Sequence, residues 1–353
     1  MIDYAFCLTV YCLFATLFLF GIKRSEDCSC EGFFSTINSL RGLFAVEIII
    51  GHCVRYTSTP LTPFGNFMLI SVGYFYFVSG YGLSRSYHTK PGYLDGFVKH
   101  RILWLIMTAL YALVLTTLVA YICPVATDYR NIPLSIPVFL RALLVRTNWY
   151  MRELLVLYVL FLTVFRYIKK QRLSVLCALI LIMCAVLYAL EYRFAPGYTR
   201  CWFASLICFP MGIYSYENFD RISAFLASMR GKILSGVIIL AGLVFSLIDY
   251  SGRFGITFMS SEMISALFNN VLCAGFILVL WCIISYFRPS NAVLRFLTGI
   301  STEIYLFQFV FIAIAEKLEF SYPVKIVFVL LADIIFSSFA HILFAKLLSL
   351  VRK

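Results

Sequence analysis

The 353-residue chain is 62% hydrophobic and only 13% charged. A soluble domain is about 45–50% apolar and about 25% charged, so this composition excludes a water-soluble globular fold. The net charge of +12 does not call for a nucleic-acid partner, because basic loops on one side of a membrane account for it. We therefore predict an all-α polytopic membrane protein whose outward faces lie against the lipid bilayer.

Apolar runs long enough to cross a bilayer follow one another along the whole chain. A spanning helix needs about 20 apolar residues, and the hydropathy pattern predicts about eleven such helices. Their predicted bounds are 3–22, 37–55, 64–84, 102–123, 149–168, 173–191, 201–216, 233–250, 263–286, 296–316 and 323–349. The first run lacks the basic start and small-residue cleavage site of a signal peptide, so we expect it to remain as an anchor.

Lysine and arginine divide unequally between the two alternating sets of loops. The richer set includes the basic pairs Lys23-Arg24 and Lys169-Lys170 and the C-terminal pair Arg352-Lys353. The positive-inside rule places the richer set in the cytoplasm. We therefore expect a multi-pass protein of the cell membrane with its N-terminus outside and its C-terminus in the cytoplasm. This orientation requires an odd number of spans, in agreement with eleven.

The predicted span 37–55 carries three ionisable residues, which are costly inside a bilayer and therefore candidates for function. Arg41 lies near its cytoplasmic end, Glu47 in its middle and His52 toward the outside. Arg41 and His52 are eleven residues apart, which places them on one helix face and about 16 Å apart along the axis. Such a face suits a substrate that enters from the cytoplasm, anchors a phosphate at Arg41 and presents a reactive group to His52. The alternative is that Arg41 snorkels to the interface and His52 bonds a neighbouring helix.

Five short motifs occur in order along residues 37–316. They are Leu40-Arg41-Gly42-Leu43 with Gly51-His52, Phe77-Val78-Ser79-Gly80-Tyr81, Trp149-Tyr150-Met151 through Tyr158, Phe209-Pro210-Met211-Gly212, and Ser301-Thr302-Glu303-Ile304-Tyr305-Leu306. In composition and order they resemble the motifs of the acyltransferase family 3 membrane enzymes, whose opening motif also has His eleven residues after Arg. One departure is Gln308, at a position where the family often has His.

The resemblance implies a ten-span acyltransferase membrane domain in residues 37–353. An extra transmembrane helix and a cytoplasmic loop in residues 1–36 precede it. Such enzymes transfer an acyl group, commonly acetyl, from acyl-CoA as cytoplasmic co-substrate. The acceptor is a hydroxyl of an extracytoplasmic glycan, such as a surface polysaccharide or a lipid-linked saccharide. No metal site is expected, because the close pair Cys28 and Cys30 lacks further ligands at metal-binding spacing.

The resemblance also implies roles for the charged residues. His52 is the general base for the acceptor hydroxyl, because imidazole titrates near neutral pH. Arg41 is either an inner-side contact for CoA or the electrostatic partner of His52. Lys99 and Arg101 lie at the inner end of the fourth span, where the donor's phosphates would arrive. The alternative is that these last two residues only contribute to the positive charge of the cytoplasmic loops.

Two glutamates complete the candidate site. Glu153 is predicted to orient His52 or to bind sugar hydroxyls, with an interfacial salt bridge as the alternative. Glu303 is predicted to pair with Arg41 or to lie on the path of the donor.

The remaining ionisable residues of the spans are assigned to packing. Glu47 is rotated about 240° from Arg41 and is expected to face another helix. Asp333 and His341, on the last span, are expected to hold helices together through hydrogen bonds.

A transporter or flippase for a lipid-linked glycan is the competing hypothesis, since it would use the same buried charges. Transporters tend to consist of repeated halves with broken helices. The sequence contains no convincing internal repeat, which argues modestly against transport.

Overall fold

The computed structural model describes residues 2–24, 29–54, 61–123, 149–194, 205–251, 262–289 and 291–351. Within these ranges the chain is almost entirely helical, which confirms the predicted all-α class. The α-helices are α1 Ile2–Leu19, α2 Cys30–Ser39, α3 Arg41–Val54, α4 Thr62–Thr89, α5 Leu103–Ile122, α6 Trp149–Tyr167, α7 Arg172–Phe194, α8 Cys208–Glu217, α9 Phe219–Ala227, α10 Met229–Ser251, α11 Glu262–Tyr286, α12 Ala292–Gly299, α13 Ser301–Lys317 and α14 Tyr322–Val351. A π-helical turn, Val98–Ile102, precedes α5, and two short strands, β1 Lys23–Arg24 and β2 Phe287–Arg288, complete the description.

Several described helices are long and apolar enough to cross a bilayer. Five stretches meet this test, namely Cys30–Val54 (α2 together with α3), Phe67–Thr89, Val98–Val119, Asn269–Tyr286 and Tyr322–Leu347. Two bent pairs add to these: α9 meets α10 at 88°, and α12 meets α13 at 72°. The described residues thus supply five to seven candidate spans, and the count of eleven stays a prediction. The bend at Ile300 interrupts the predicted span 296–316, because hydropathy alone does not show a change of helix direction within an apolar run.

The predicted extra N-terminal helix is present as α1. Its apolar part, Tyr4–Leu19, is shorter than the full-length spans. The Asn291 side chain amide donates to the Leu17 and Phe20 carbonyl oxygens, at 2.8 and 3.0 Å. Carbonyl groups at the end of a helix have no intrahelical partner, so these bonds satisfy α1 and attach it to the start of α12.

Two of the motifs meet at the crossing of α4 and α8. A Cβ atom at Gly80 would lie 2.1 Å from the Phe209 carbonyl oxygen, and one at Gly212 would lie 2.2 Å from the Phe77 carbonyl oxygen. Both distances are far shorter than a van der Waals contact, so the two backbones approach as closely as glycine permits. Small residues at such crossings are typical of membrane helices.

Substitution of either crossing glycine tests this contact. We expect Gly80→Ala and Gly212→Ala each to destabilise the protein by about 1–3 kcal/mol, because the added methyl group forces the helices apart. Gly236→Ala is the matched control, since a Cβ there meets no atom within 4 Å and alanine suits a helix better than glycine. The measurement is the thermal unfolding midpoint in detergent. Equal midpoints for all three variants would contradict the crossing.

Candidate active site

A cavity of about 590 Å³ opens among the ends of α3, α4, α6, α13 and α14. We call it the basic cavity after the cations that line it, which are Arg41, Arg85, Lys90 and Arg101. Its volume lies within the usual range for small-molecule and cofactor sites. Aromatic and aliphatic side chains form the rest of the wall, among them Tyr150, Tyr158 and Tyr305. The cavity therefore combines several cations with aromatic and aliphatic side chains.

Arg41 is held in the basic cavity by the packing of α12 against the start of α3. The Gly42 amide donates to the Thr298 hydroxyl at 3.2 Å, and that hydroxyl donates to the Ser39 carbonyl oxygen at 2.6 Å. A Cβ atom at Gly42 would lie 2.5 Å from the Thr298 nitrogen, so only glycine permits this approach. The Arg41 guanidinium then donates to the Thr302 hydroxyl at 3.2 Å.

The other cations of the basic cavity differ in how they are bound. Arg85 forms an ion pair with Glu31 at 2.6 Å. Arg101 donates from Nε to the Tyr93 hydroxyl at 2.9 Å. Arg101 belongs to the π-helical turn Val98–Ile102, a distortion that is frequent at functional sites. Lys99 belongs to the same turn, but it is exposed and is not among the described residues that line the cavity.

Glu303 lies in the first turn of α13, inside the basic cavity. Its carboxylate is 2.7 Å from Nδ1 of His341 on α14, and both residues line the cavity. Glu303 therefore has His341 as its partner, and Arg41 binds the adjacent Thr302 instead. A carboxylate on one ring nitrogen orients the imidazole and leaves the other nitrogen for a ligand or a proton transfer. The Tyr111 hydroxyl fixes α14 beside this pair by donating to the Ala340 carbonyl oxygen at 2.7 Å.

His341 is the cavity residue that the sequence analysis assigned to packing alone. It does connect two helices, but its side chain is 47% exposed and lines the basic cavity. The only signal in the sequence was an ionisable residue within an apolar span. Nothing in the spacing between Glu303 and His341 shows that α13 and α14 bring them together.

His52 lies at the opposite end of α3 from Arg41, about 16 Å away along the helix axis. Its ring packs on the Phe309 ring of α13, with the centroids 4.7 Å apart. Arg41 also contacts α13, through Thr302, so both side chains meet the same neighbouring helix as the shared face predicts. His52 is not among the described residues that line the basic cavity.

Glu153 is 4% exposed and accepts a hydrogen bond from the Tyr76 hydroxyl. Its neighbours Met151 and Leu154 line the basic cavity, whereas Glu153 is not among the lining residues. The carboxylate therefore connects α6 to α4 behind the cavity wall. Its predicted contacts with His52 and with sugar hydroxyls stay predictions.

These features define a helical membrane protein with a basic internal site. A comparison with protein families identifies the class more closely. The family model for the acyltransferase domain of acyltransferase family 3 matches residues 34–345. The chain belongs to that family, and the resemblance seen in the motifs is confirmed. No curated protein and no solved structure matches the chain. The match begins after α1, Lys23 and Arg24, so these lie outside the family domain.

The bond between Glu303 and His341 is tested by a double-mutant cycle. We expect the double variant Glu303→Ala/His341→Ala to be destabilised by about 0.5–3 kcal/mol less than the sum of the two single variants. Thermal unfolding in detergent at neutral pH supplies the measurement. The control cycle combines Glu303→Ala with His88→Ala, whose side chain is 3.7 Å from Glu217 instead, and it should be additive. Additivity in both cycles would contradict the bond.

Proposed function

We propose that this membrane acyltransferase transfers an acyl group, most simply acetyl, from cytoplasmic acyl-CoA to a hydroxyl of an extracytoplasmic glycan. The observation that carries the proposal is the position of Arg41 in a basic cavity at one end of α3, with His52 at the other end. Family membership supplies the reaction class, and the charge bias of the loops supports the cytoplasmic position of the basic end.

The basic cavity is the proposed entry for the donor. Its cations suit the diphosphate of CoA, since guanidinium groups bind phosphate with charge-assisted and often paired hydrogen bonds. The aromatic and aliphatic side chains of the cavity suit the arm of CoA that carries the acyl group. This arm would extend along α3 from Arg41 toward His52. Glu303 and His341 lie on this path and offer polar contacts to the arm. Lys99 is proposed as an outer, more exposed cation that attracts the donor.

His52 is the proposed general base at the acceptor end. It takes the proton from the acceptor hydroxyl as the hydroxyl oxygen attacks the thioester carbonyl carbon. The new carbon–oxygen bond then replaces the carbon–sulfur bond, and the departing thiolate of CoA takes the proton back from His52 and leaves as the thiol. Positive charge near the developing oxyanion would lower the barrier, but Arg41 lies about 16 Å away along α3, so its proposed role is the inner-side contact for CoA. Glu153 is proposed to hold α6 against α4 near the acceptor through its hydrogen bond from the Tyr76 hydroxyl.

Transport of a lipid-linked glycan is the second candidate, because the bent pairs α9–α10 and α12–α13 are the kind of discontinuous helices found in transporters. The two functions differ in the fate of the donor. Acyl-CoA consumption by the purified protein in proteoliposomes supports acyl transfer. Movement of a glycan lipid without release of CoA supports transport.

The role of His52 is tested by His52→Ala in cells that express the protein at matched membrane abundance. Loss of the general base should lower acylation of surface glycan by at least about 10²-fold, as measured by mass spectrometry of the polysaccharide. His100→Ala is the matched control, because His100 is exposed in the π-helical turn, and it should retain activity. Unchanged acylation in His52→Ala would overturn the assignment of the base.

The two basic residues of the π-helical turn should differ in their contribution to donor binding. Arg101→Ala removes a cation that lines the basic cavity, so we expect the Kd for CoA to rise by about tenfold. Lys99→Ala removes an exposed neighbour and should change the Kd by less than about twofold. Titration calorimetry with protein in lipid nanodiscs measures both values. An equal effect of the two substitutions would place the donor's phosphates outside the basic cavity.

A further inference from the structure

A second cavity, of about 930 Å³, lies beside the basic cavity. We call it the N-terminal cavity, and four cations line it: Lys23, Arg24, Arg288 and Arg295. Hydroxyl and amide side chains of α2 complete the wall, and no carboxylate is among its described lining residues. Glu26 and Asp27 follow Arg24 in the sequence and lie outside the described residues. This chemistry suits a ligand that carries concentrated negative charge.

Segments far apart in the sequence are brought together to form the N-terminal cavity. Strand β1 pairs antiparallel with β2, and this pairing places Lys23 directly opposite Arg288. Asn291 attaches the end of α1 to the start of α12, and its side chain oxygen also accepts from the Leu294 amide at 2.8 Å. Arg295 follows in the first turn of α12. The cations therefore have fixed backbone positions on a paired ladder and a capped helix.

The ladder groups cations at one side of the N-terminal cavity, because Lys23 lies directly opposite Arg288 and both line it. Arginine and lysine together are the residues that proteins use to bind phosphate groups.

The two cavities share part of their walls. Asn38 and Thr298 line both the basic cavity and the N-terminal cavity. A ligand that extends past these two residues, with phosphates at two separated positions, would contact both cavities. CoA has this form, with a diphosphate in the middle of the molecule and a further phosphate on the 3′ position of its ribose.

We propose that the N-terminal cavity binds the 3′-phosphorylated nucleotide end of the CoA donor, with Lys23 and Arg24 supplied by the segment that follows α1. The proposal rests on the proposed function for the identity of the donor. It gives the N-terminal extension a role in binding, although Lys23 and Arg24 precede the matched family domain at residues 34–345. The chemistry recognised is a phosphate group, which the headgroup of an anionic lipid also carries.

The experiment compares the binding of CoA and 3′-dephospho-CoA to the full-length protein in nanodiscs of neutral phosphatidylcholine. Lys23→Ala/Arg24→Ala should raise the Kd for CoA by about tenfold, the effect of losing one charge-assisted phosphate contact. The Kd for 3′-dephospho-CoA should stay within about twofold. Lys169→Ala/Lys170→Ala is the matched control, because this dibasic pair is also exposed, and it should leave both Kd values unchanged.

Two results would overturn the proposal. An equal rise in Kd for both ligands, or no rise for either, means that the 3′-phosphate is not bound by these cations. No rise is also the result expected if Glu26 and Asp27 already neutralise them. If Lys23→Ala/Arg24→Ala fails to give folded protein, Lys23→Gln/Arg24→Gln replaces it in the same comparison.

A second experiment distinguishes the phosphate of CoA from the phosphate of a lipid headgroup. The measurement is repeated in nanodiscs that contain phosphatidylglycerol. Two results together would assign the cavity to a lipid headgroup and overturn the proposal. The lipid raises the thermal stability of the protein and Lys23→Ala/Arg24→Ala abolishes that rise, while the Kd values do not discriminate between CoA and 3′-dephospho-CoA. CoA binding is measured without any acceptor. The result therefore stands apart from the acyl-transfer assay: intact discrimination without acyl transfer would contradict the proposed function alone.

Discussion

The contact between Gly42 and Thr298 is the constraint on which the geometry of the basic cavity depends. A Cβ atom at residue 42 would lie 2.5 Å from both the Leu297 Cβ and the Thr298 nitrogen. Any side chain there would move α12 away from α3 and break the hydrogen bonds that Thr298 makes to the Gly42 amide and the Ser39 carbonyl oxygen. The bend at Ile300 transmits that shift to Thr302, which holds Arg41. The Arg-Gly pair in the opening motif thus combines a cation of the basic cavity with the close packing that positions it.

Buried carboxylates elsewhere in the bundle show how a structural acidic residue differs from a candidate site residue. Glu47 accepts from the Ser71 hydroxyl at 2.5 Å, and Asp333 accepts from the Ser337 hydroxyl at 3.1 Å. Neither lines the basic cavity: Glu47 connects α3 to α4, whereas Asp333 bonds within its own helix α14 instead of joining α14 to a neighbour as predicted. Glu303 differs on both counts, because its partner is an imidazole and it faces the cavity. Position relative to the cavity therefore distinguishes Glu303 from Glu47 and Asp333.

The features predicted from the sequence were those with a local signal. Composition predicts helices in a bilayer, and the spacing of Arg41 and His52 predicts a shared face. The bend at Ile300 has no such signal, since apolar residues continue through it. The pairing of Glu303 with His341 depends on the relative placement of α13 and α14, which hydropathy does not determine.

The π-helical turn shows the same limit at shorter range. Lys99 and Arg101 are two residues apart and were assigned one role. Their positions in the structure differ, since Arg101 lines the basic cavity and Lys99 does not. A π turn adds a residue to one helical turn, so positions after it face a different direction from the one that regular helical spacing predicts. The sequence Val98–Ile102 contains no proline or glycine that marks the change.

Helix α12 connects the two cavities physically. Its first turn carries Arg295 in the N-terminal cavity, and its last turn carries Thr298, which lines both cavities and bonds to α3. Its start is attached to α1 through Asn291, and its end meets α13 at a 72° bend. Because one short helix forms part of both walls, the proposed nucleotide site at the N-terminal cavity and the Arg41 side chain of the basic cavity depend on the same support. Thr298 of α12 bonds to the start of α3, and Thr302, just past the bend, bonds to Arg41.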